Sequence, residues 1–138
     1  MKYVLDTNAV SALMKGDVRV VDRLRTSSKG EAAIPQPVIA EIAYGIERLP
    51  RSKRRSVLED RFELVRGELG RSPWTDAVSE RFGSIKTTLE REGRRIEDFD
   101  AAIAAHALVE EAVLVTANLR DMTKVPGLKV EDWASAED

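Results

Sequence analysis

Short apolar runs alternate with stretches of helical periodicity along the chain, and this alternation restricts the fold more than any other feature of the sequence. The runs are "YVL" at residues 3–5, "EAAIP" at 31–35, "AVLVT" at 112–116 and "LKVEDW" at 128–133. Between them lie "AVSALM" with Gly16 as a stop, a second short helical stretch at residues 18–24, and a helix expected from Pro37 through Leu49. Pro37 suits a first helical turn because its missing N–H would be unpaired there anyway. Leu58, Phe62, Val65 and Leu69 stand at i, i+4, i+7 and i+11, and Val78, Phe82, Ile85 and Leu89 repeat that spacing after a break at "GRSP". This repetition predicts a helical hairpin over residues 52–91 that covers one side of a sheet. "EDFDAAIAAHALVEE" is apolar almost all round, so its helix should be buried on several sides. Strands separated by helices predict an α/β domain with a short, mainly parallel central sheet, in which residues 3–5 form a buried central strand and 128–133 an edge.

At 138 residues the chain has one domain's worth of length, enough to bury a core without a metal or disulfide staple. Hydrophobic residues make up 43%, too many for disorder. No eighteen-residue apolar run and no secretory leader is present, so a cytoplasmic protein without a membrane segment is expected. The absence of cysteine excludes disulfides, thiolate metal sites and cysteine nucleophiles, and the single His106 excludes a multi-histidine zinc site. Net charge is −2, which gives no global attraction to nucleic acid. Residues 48–71 nevertheless carry eight bases against four acids, a stripe that is either a solvated helix face or a track for a phosphate backbone.

In open parallel sheets, functional groups collect beyond the carboxyl ends of the strands. Asp6 follows the first run; it is either a helix cap or, if Asn8 caps instead, free for other work. Glu41 falls roughly 100° from the centre of the apolar arc of Val38, Ile42, Ile46 and Leu49, beside Gly45, whose place in a helix hints that the space there matters. Asp98 is the natural cap of the alanine-rich helix, and Asp100 shares a face with Ala104 and Ala107, where a carboxylate is costly unless a cation or donor meets it. Asp121 follows the last core strand, one turn beyond Asn118. Taken singly, each acid has a structural or surface explanation. Convergence at the strand ends would raise their pKa values or recruit a divalent cation, and oxygen-only ligands favour Mg²⁺ or Mn²⁺ and phosphodiester hydrolysis.

"YVLDTNAVSALM", "PQPVIAEIAYGIERL", "DFDAAIAAHAL", "LVTANLRDM" and "VPGLKVEDW", in this order, resemble a PIN-domain protein of the VapC toxin class over essentially the whole chain. The resemblance implies a single PIN domain over 1–138, a three-layer α/β/α arrangement, and a Mg²⁺-dependent endoribonuclease that hydrolyses RNA through a Mg²⁺-bound water. It also implies the toxin half of a type II toxin–antitoxin pair: a homodimer neutralised by a small antitoxin, with larger assemblies formed alongside it and operator DNA reached only through it. Carried over by position, Asp6 and Asp100 become the principal metal ligands, Glu41 and Asp121 complete the acidic cluster, and Thr7, Asn8, Thr116 and Asn118 supply surrounding polar groups. Ala117 stands where the family commonly has arginine, and Met122 where an aromatic usually follows the last acid; neither departure removes a ligand. His106, nearly two turns from Asp100, is expected to be structural, and Trp74 and Trp133 to serve packing. Two other readings compete: a DNA-binding regulator that acts with its antitoxin and cuts little, and an aspartyl phosphatase, which would want a second aspartate where Asn8 stands.

Overall fold

In the computed structural model, which describes residues 2–27 and 29–134, five parallel strands form one sheet in the order β3-β2-β1-β4-β5. They are β1 (Tyr3–Leu5), β2 (Ala32–Pro35), β3 (Gly70–Ser72), β4 (Val113–Val115) and β5 (Val130–Glu131). Seven α-helices flank them among the described residues: α1 (Thr7–Met14), α2 (Val18–Thr26), α3 (Gln36–Glu47), α4 (Lys53–Glu68), α5 (Asp76–Arg91), α6 (Asp98–Val109) and α7 (Leu119–Met122). The expected α/β fold, with the first strand central, is borne out. Val4 and Leu5 are fully buried, and β1 pairs with β2 on one side and β4 on the other, Leu5 opposite Val115.

Strand order fixes where a site can form. From β1 the chain builds outward through β2 and β3, then returns to place β4 and β5 on the other side, so the order reverses between β1 and β4. A crevice opens beyond the carboxyl ends of strands at such a reversal. Asp6 leaves β1 and Thr116 leaves β4 on its two sides.

The helical hairpin over residues 52–91 is corrected. The "GRSP" break contains β3, a third strand paired with β2 (Ala33 opposite Gly70), so α4 and α5 are separated by a strand. α4 packs on α1 and α3, and α5 packs along α6. Three residues are too few to show a period of two, and Gly70 has low strand propensity. Ser52 and Thr75 start α4 and α5 by accepting from Arg55 N and Val78 N. As its composition predicts, α6 is buried from Ala101 to Ala107, and its small side chains allow close packing. Among the described residues no helix is long and apolar enough to cross a membrane.

Candidate active site

Asp6 is 3% exposed and caps α1 itself: Oδ1 accepts from Ala9 N at 3.0 Å. Of the two candidate caps, Asp6 and Asn8, the structure uses Asp6. Helix α1 begins one residue before Asn8, at Thr7, and this frees the Asn8 side chain to bridge two segments. Its Nδ2 donates to Asp6 Oδ2 at 3.1 Å, and its Oδ1 accepts from Ala117 N at 3.0 Å in the turn after β4. The Thr116 hydroxyl also donates to Asp6 and accepts from Asn118 N at 2.9 Å. One carboxylate thus draws together the ends of β1 and β4.

Glu41 is half-buried on α3, as its angular position predicts, and accepts from the Thr7 hydroxyl. Asp100 is half-buried in the first turn of α6, where the helix's positive end favours an anion. Asp98 does not cap this helix as expected: Glu97 occupies that position without a side-chain bond, and Asp98 pairs with Lys86 at 3.0 Å. Asn118 Nδ2 lies 3.5 Å from Asp100 Oδ2 and 3.4 Å from Asp121 Oδ2, so it spans the two acids. Asp121 is the outlier. It pairs with Lys124 at 3.2 Å and stands beside the cavity rather than in its wall.

Asp6, Glu41 and Asp100, with Thr7 and Asn8, line a cavity of about 480 Å³. Burial pushes the Asp6 carboxyl up to about 6, despite the hydrogen bonds from Thr116 and Ala9 that favour its charged form, and Asp100 adds repulsion. Asp100 is also pushed up to about 6, by burial first and then by Glu41, Asp121 and Glu97. Asp121 is instead held below the usual carboxylate range by Lys124. Among the described residues no three acids converge tightly enough to form a ready-made coordination sphere. A hard divalent cation that keeps several waters needs only one or two carboxylates, and an all-oxygen set of mutually repelling acids fits one. Lys15 and Ser11 also line the cavity and were not anticipated. Ser11, four residues after Thr7 on α1, and Lys15, eight residues after it at the helix's C-cap, follow a helical spacing that could have found them.

The expected structural role of His106 is consistent with its burial: it is fully enclosed, and its Nδ1 is 2.9 Å from Ser72 Oγ. Trp133 is in the core, 2% exposed, against Tyr3; Trp74 is 44% exposed, with its ring meeting His106 edge-on. The basic stripe is partly committed to the fold. Arg55, Arg61 and Arg71 donate to the carbonyls of Leu49, Met14 and Leu69.

Comparison with known proteins decides the family. The PIN domain profile matches residues 3–128. The chain belongs to the PIN-domain family. Within it, the chain is of the VapC kind: it is 31% identical over 135 residues to ribonuclease VapC2 of Rickettsia felis, covering 96% of this chain and 98% of that one. It is 29% identical over 137 residues to the tRNA(fMet)-specific endonuclease VapC of Shigella flexneri, covering 97% and 99%. The fold superposes with a TM-score of 0.87, at 29% identity, on the Rickettsia felis VapBC2 structure bound to a DNA fragment from its promoter, covering 96% of this chain and 99% of that one.

Proposed function

We propose that this VapC-type chain is a divalent-cation-dependent endoribonuclease, the toxic half of a toxin–antitoxin pair neutralised by a small antitoxin. The observation that carries the reading is a cavity at the strand-order reversal in which Asp6, Glu41 and Asp100 share one wall and two of the carboxyls are pushed up to about 6. Full-length relatives that bear ribonuclease names support it.

Asp6 and Asp100 would be the principal ligands, with Glu41 and, from beside the cavity, Asp121 completing the acidic cluster directly or through water. When bound, Mg²⁺ or Mn²⁺ supplies Lewis-acid stabilisation of the phosphodiester and a water of lowered pKa. The chain's own residues position the rest. Asn8 and Thr116 fix the Asp6 carboxylate, Thr7 fixes Glu41, and Asn118 ties Asp100 to Asp121. Water forms the new bond to phosphorus as the bond from phosphorus to the sugar oxygen breaks; the proton lost by the attacking water passes to solvent, and the departing oxygen takes one from solvent. His106 takes no part as a base, because it is enclosed beneath Trp74. Defined RNAs incubated with purified wild type, Asp6→Asn and Asp100→Asn, with Mg²⁺ or with chelator, test the reading. Cleavage only by wild type with the ion is expected; cleavage that survives both substitutions or chelation overturns it.

A second role, as part of an antitoxin complex on promoter DNA, is favoured by the promoter-bound Rickettsia felis relative. With a net charge of −2, this chain would reach DNA through its partner. A mobility shift that requires the antitoxin is expected; a shift by the chain alone would contradict that arrangement.

A further inference from the structure

Beside the acid cavity lies a second cleft of about 240 Å³, floored by Met14, Ile42, Ile46 and Leu58, with Gly45 in its wall. The two are adjacent, with Thr7, Ser11, Lys15 and Glu41 in the lining of both. We infer that this cleft seats one unstacked base of the RNA substrate next to the scissile phosphate, and that Lys15 pairs with the phosphate between base and cut. The inference rests on the ribonuclease reading above and adds to it a base subsite and two residues that set substrate binding.

Gly45 is the most informative residue. It lies inside α3, where glycine weakens a helix relative to any ordinary residue. Two structural reasons for glycine are absent. Its φ is not among the positive ones, and a Cβ built there meets nothing within 4 Å. What the missing side chain preserves is open space in the wall of the cleft. That space suits a flat, largely apolar occupant: the face of a base needs no hydrogen bonds, and the Met14 thioether makes favourable contacts with aromatic rings. The polar edge of the base would face the rim of Thr7, Ser11 and Glu41.

Lys15 stands at the junction of the two cavities and is the one cation among the described residues lining either. It is exposed just past α1, and no ion pair engages its ammonium among the described residues. A phosphate that follows the base out of the cleft toward the acids would pass this charge. Lysine serves phosphate as an adaptable point charge.

The test is an abasic scan of an RNA cleaved by the wild type with Mg²⁺, repeated on Gly45→Leu and Lys15→Gln. Gly45→Leu improves helix propensity and its Cβ meets nothing within 4 Å, so the variant should fold and can be checked by its melting temperature. For the wild type, one abasic position beside the cut should raise KM roughly tenfold. For Gly45→Leu, intact RNA should already show that rise with kcat nearly unchanged, and the same abasic position should then add nothing. For Lys15→Gln, KM should rise and the slope of log affinity against log salt should fall by about one. A folded Gly45→Leu with unchanged KM, or with the full abasic penalty intact, removes this inference alone. Unchanged RNA cleavage with weakened inhibition by an antitoxin would also overturn it, and would assign the cleft to a protein side chain. Absence of cleavage by the wild type removes the ribonuclease reading and the base seat together.

Discussion

Two groups of buried polar side chains meet the cost of desolvation in opposite ways. At the carboxyl ends of β1 and β4, Asp6 and Asp100 are withdrawn from water beside Glu41, and burial together with mutual repulsion pushes both up to about 6. Farther along α6, His106 packs against Ser72 and under the edge of Trp74, and burial pushes it down to about 4. The Ser72 hydroxyl donates to Glu110 at 3.0 Å. Its single proton being spent there, His106 Nδ1 must donate to Ser72 Oγ, and with burial keeping the imidazole neutral, Nε2 is a buried atom without a partner among the described residues. Imidazole escapes its charge at neutral pH by releasing a proton. A carboxyl at neutral pH can shed charge only by taking up a proton or meeting a cation, so the acid cavity stays under electrostatic load while the histidine cluster does not. Buried titratable groups therefore need a second criterion before one is read as a site: whether the neighbourhood resolves the charge.

The largest contrast should come from activity. Asp6→Asn and Asp100→Asn should each lower RNA cleavage at least about 100-fold in a single-turnover assay. Asp100→Asn should do so without loss of melting temperature because it removes a repelling charge, whereas Asp6→Asn keeps the α1 cap but sets its amide against the Asn8 donor and should cost about 1 kcal/mol. His106→Ala should do the reverse, costing about 2–4 kcal/mol of stability in denaturant titration while the folded fraction cleaves at the wild-type rate. A drop in specific activity for His106→Ala would break the distinction between the two clusters.

Mg²⁺ should raise the melting temperature of the wild type at pH 7, by about 2.7 kcal/mol of stabilisation at 100 times its Kd, and should not raise that of Asp6→Asn/Asp100→Asn. Equal stabilisation of both proteins would place the ion elsewhere. The pH dependence sharpens the comparison, because the clusters have opposite signs. Asp6 and Asp100 have folded pKa values of about 6 against an ordinary 3.8, so the stability they contribute is full below 3.8 and lost as pH rises through about 6. For His106, about 4 against 6.5, the contribution is full above 6.5 and lost as pH falls through about 4. Two raised carboxyls outweigh one lowered imidazole, so metal-free wild type should gain stability on acidification from pH 7 to 4, less steeply than a variant without the histidine. The double aspartate variant should lose stability steadily on acidification, and His106→Leu should gain it. The smallest effect belongs to Asp98→Asn. Its ion pair with Lys86 is exposed, so stability should change by less than about 1 kcal/mol and cleavage not at all; a large loss of cleavage would return Asp98 to the site.

Much of this was legible in the residues, and the failures have local causes. The central strand at residues 3–5, the proline-started α3 and the buried α6 were readable because an uninterrupted apolar run, a proline at a helix start and an alanine-rich stretch each express a constraint that acts within one element. β3 was not. Its three residues show no alternation, and they become a strand only because β2 offers them hydrogen bonds. The cap of α1 was left open between Asp6 and Asn8, and that of α6 was misassigned to Asp98, because several residues at each helix start could cap and a one-residue shift in the helix boundary decides among them. Gly45 was legible as a helical glycine beside Glu41, whereas Lys15 carries no motif, and only the cavity walls bring it beside Thr7 and Glu41.

The sequence by itself determined which segments become strands and helices over most of the chain, and which acids stand just past a strand or at a helix start, because periodicity and capping act over a few residues. Only the tertiary structure decided that Asp6, Glu41 and Asp100 share one cavity while Asp121 remains beside it with Lys124, and that His106 ends up neutral under Trp74. Desolvation and charge repulsion depend on distances between side chains far apart along the chain, and those distances are set when the strand order reverses between β1 and β4.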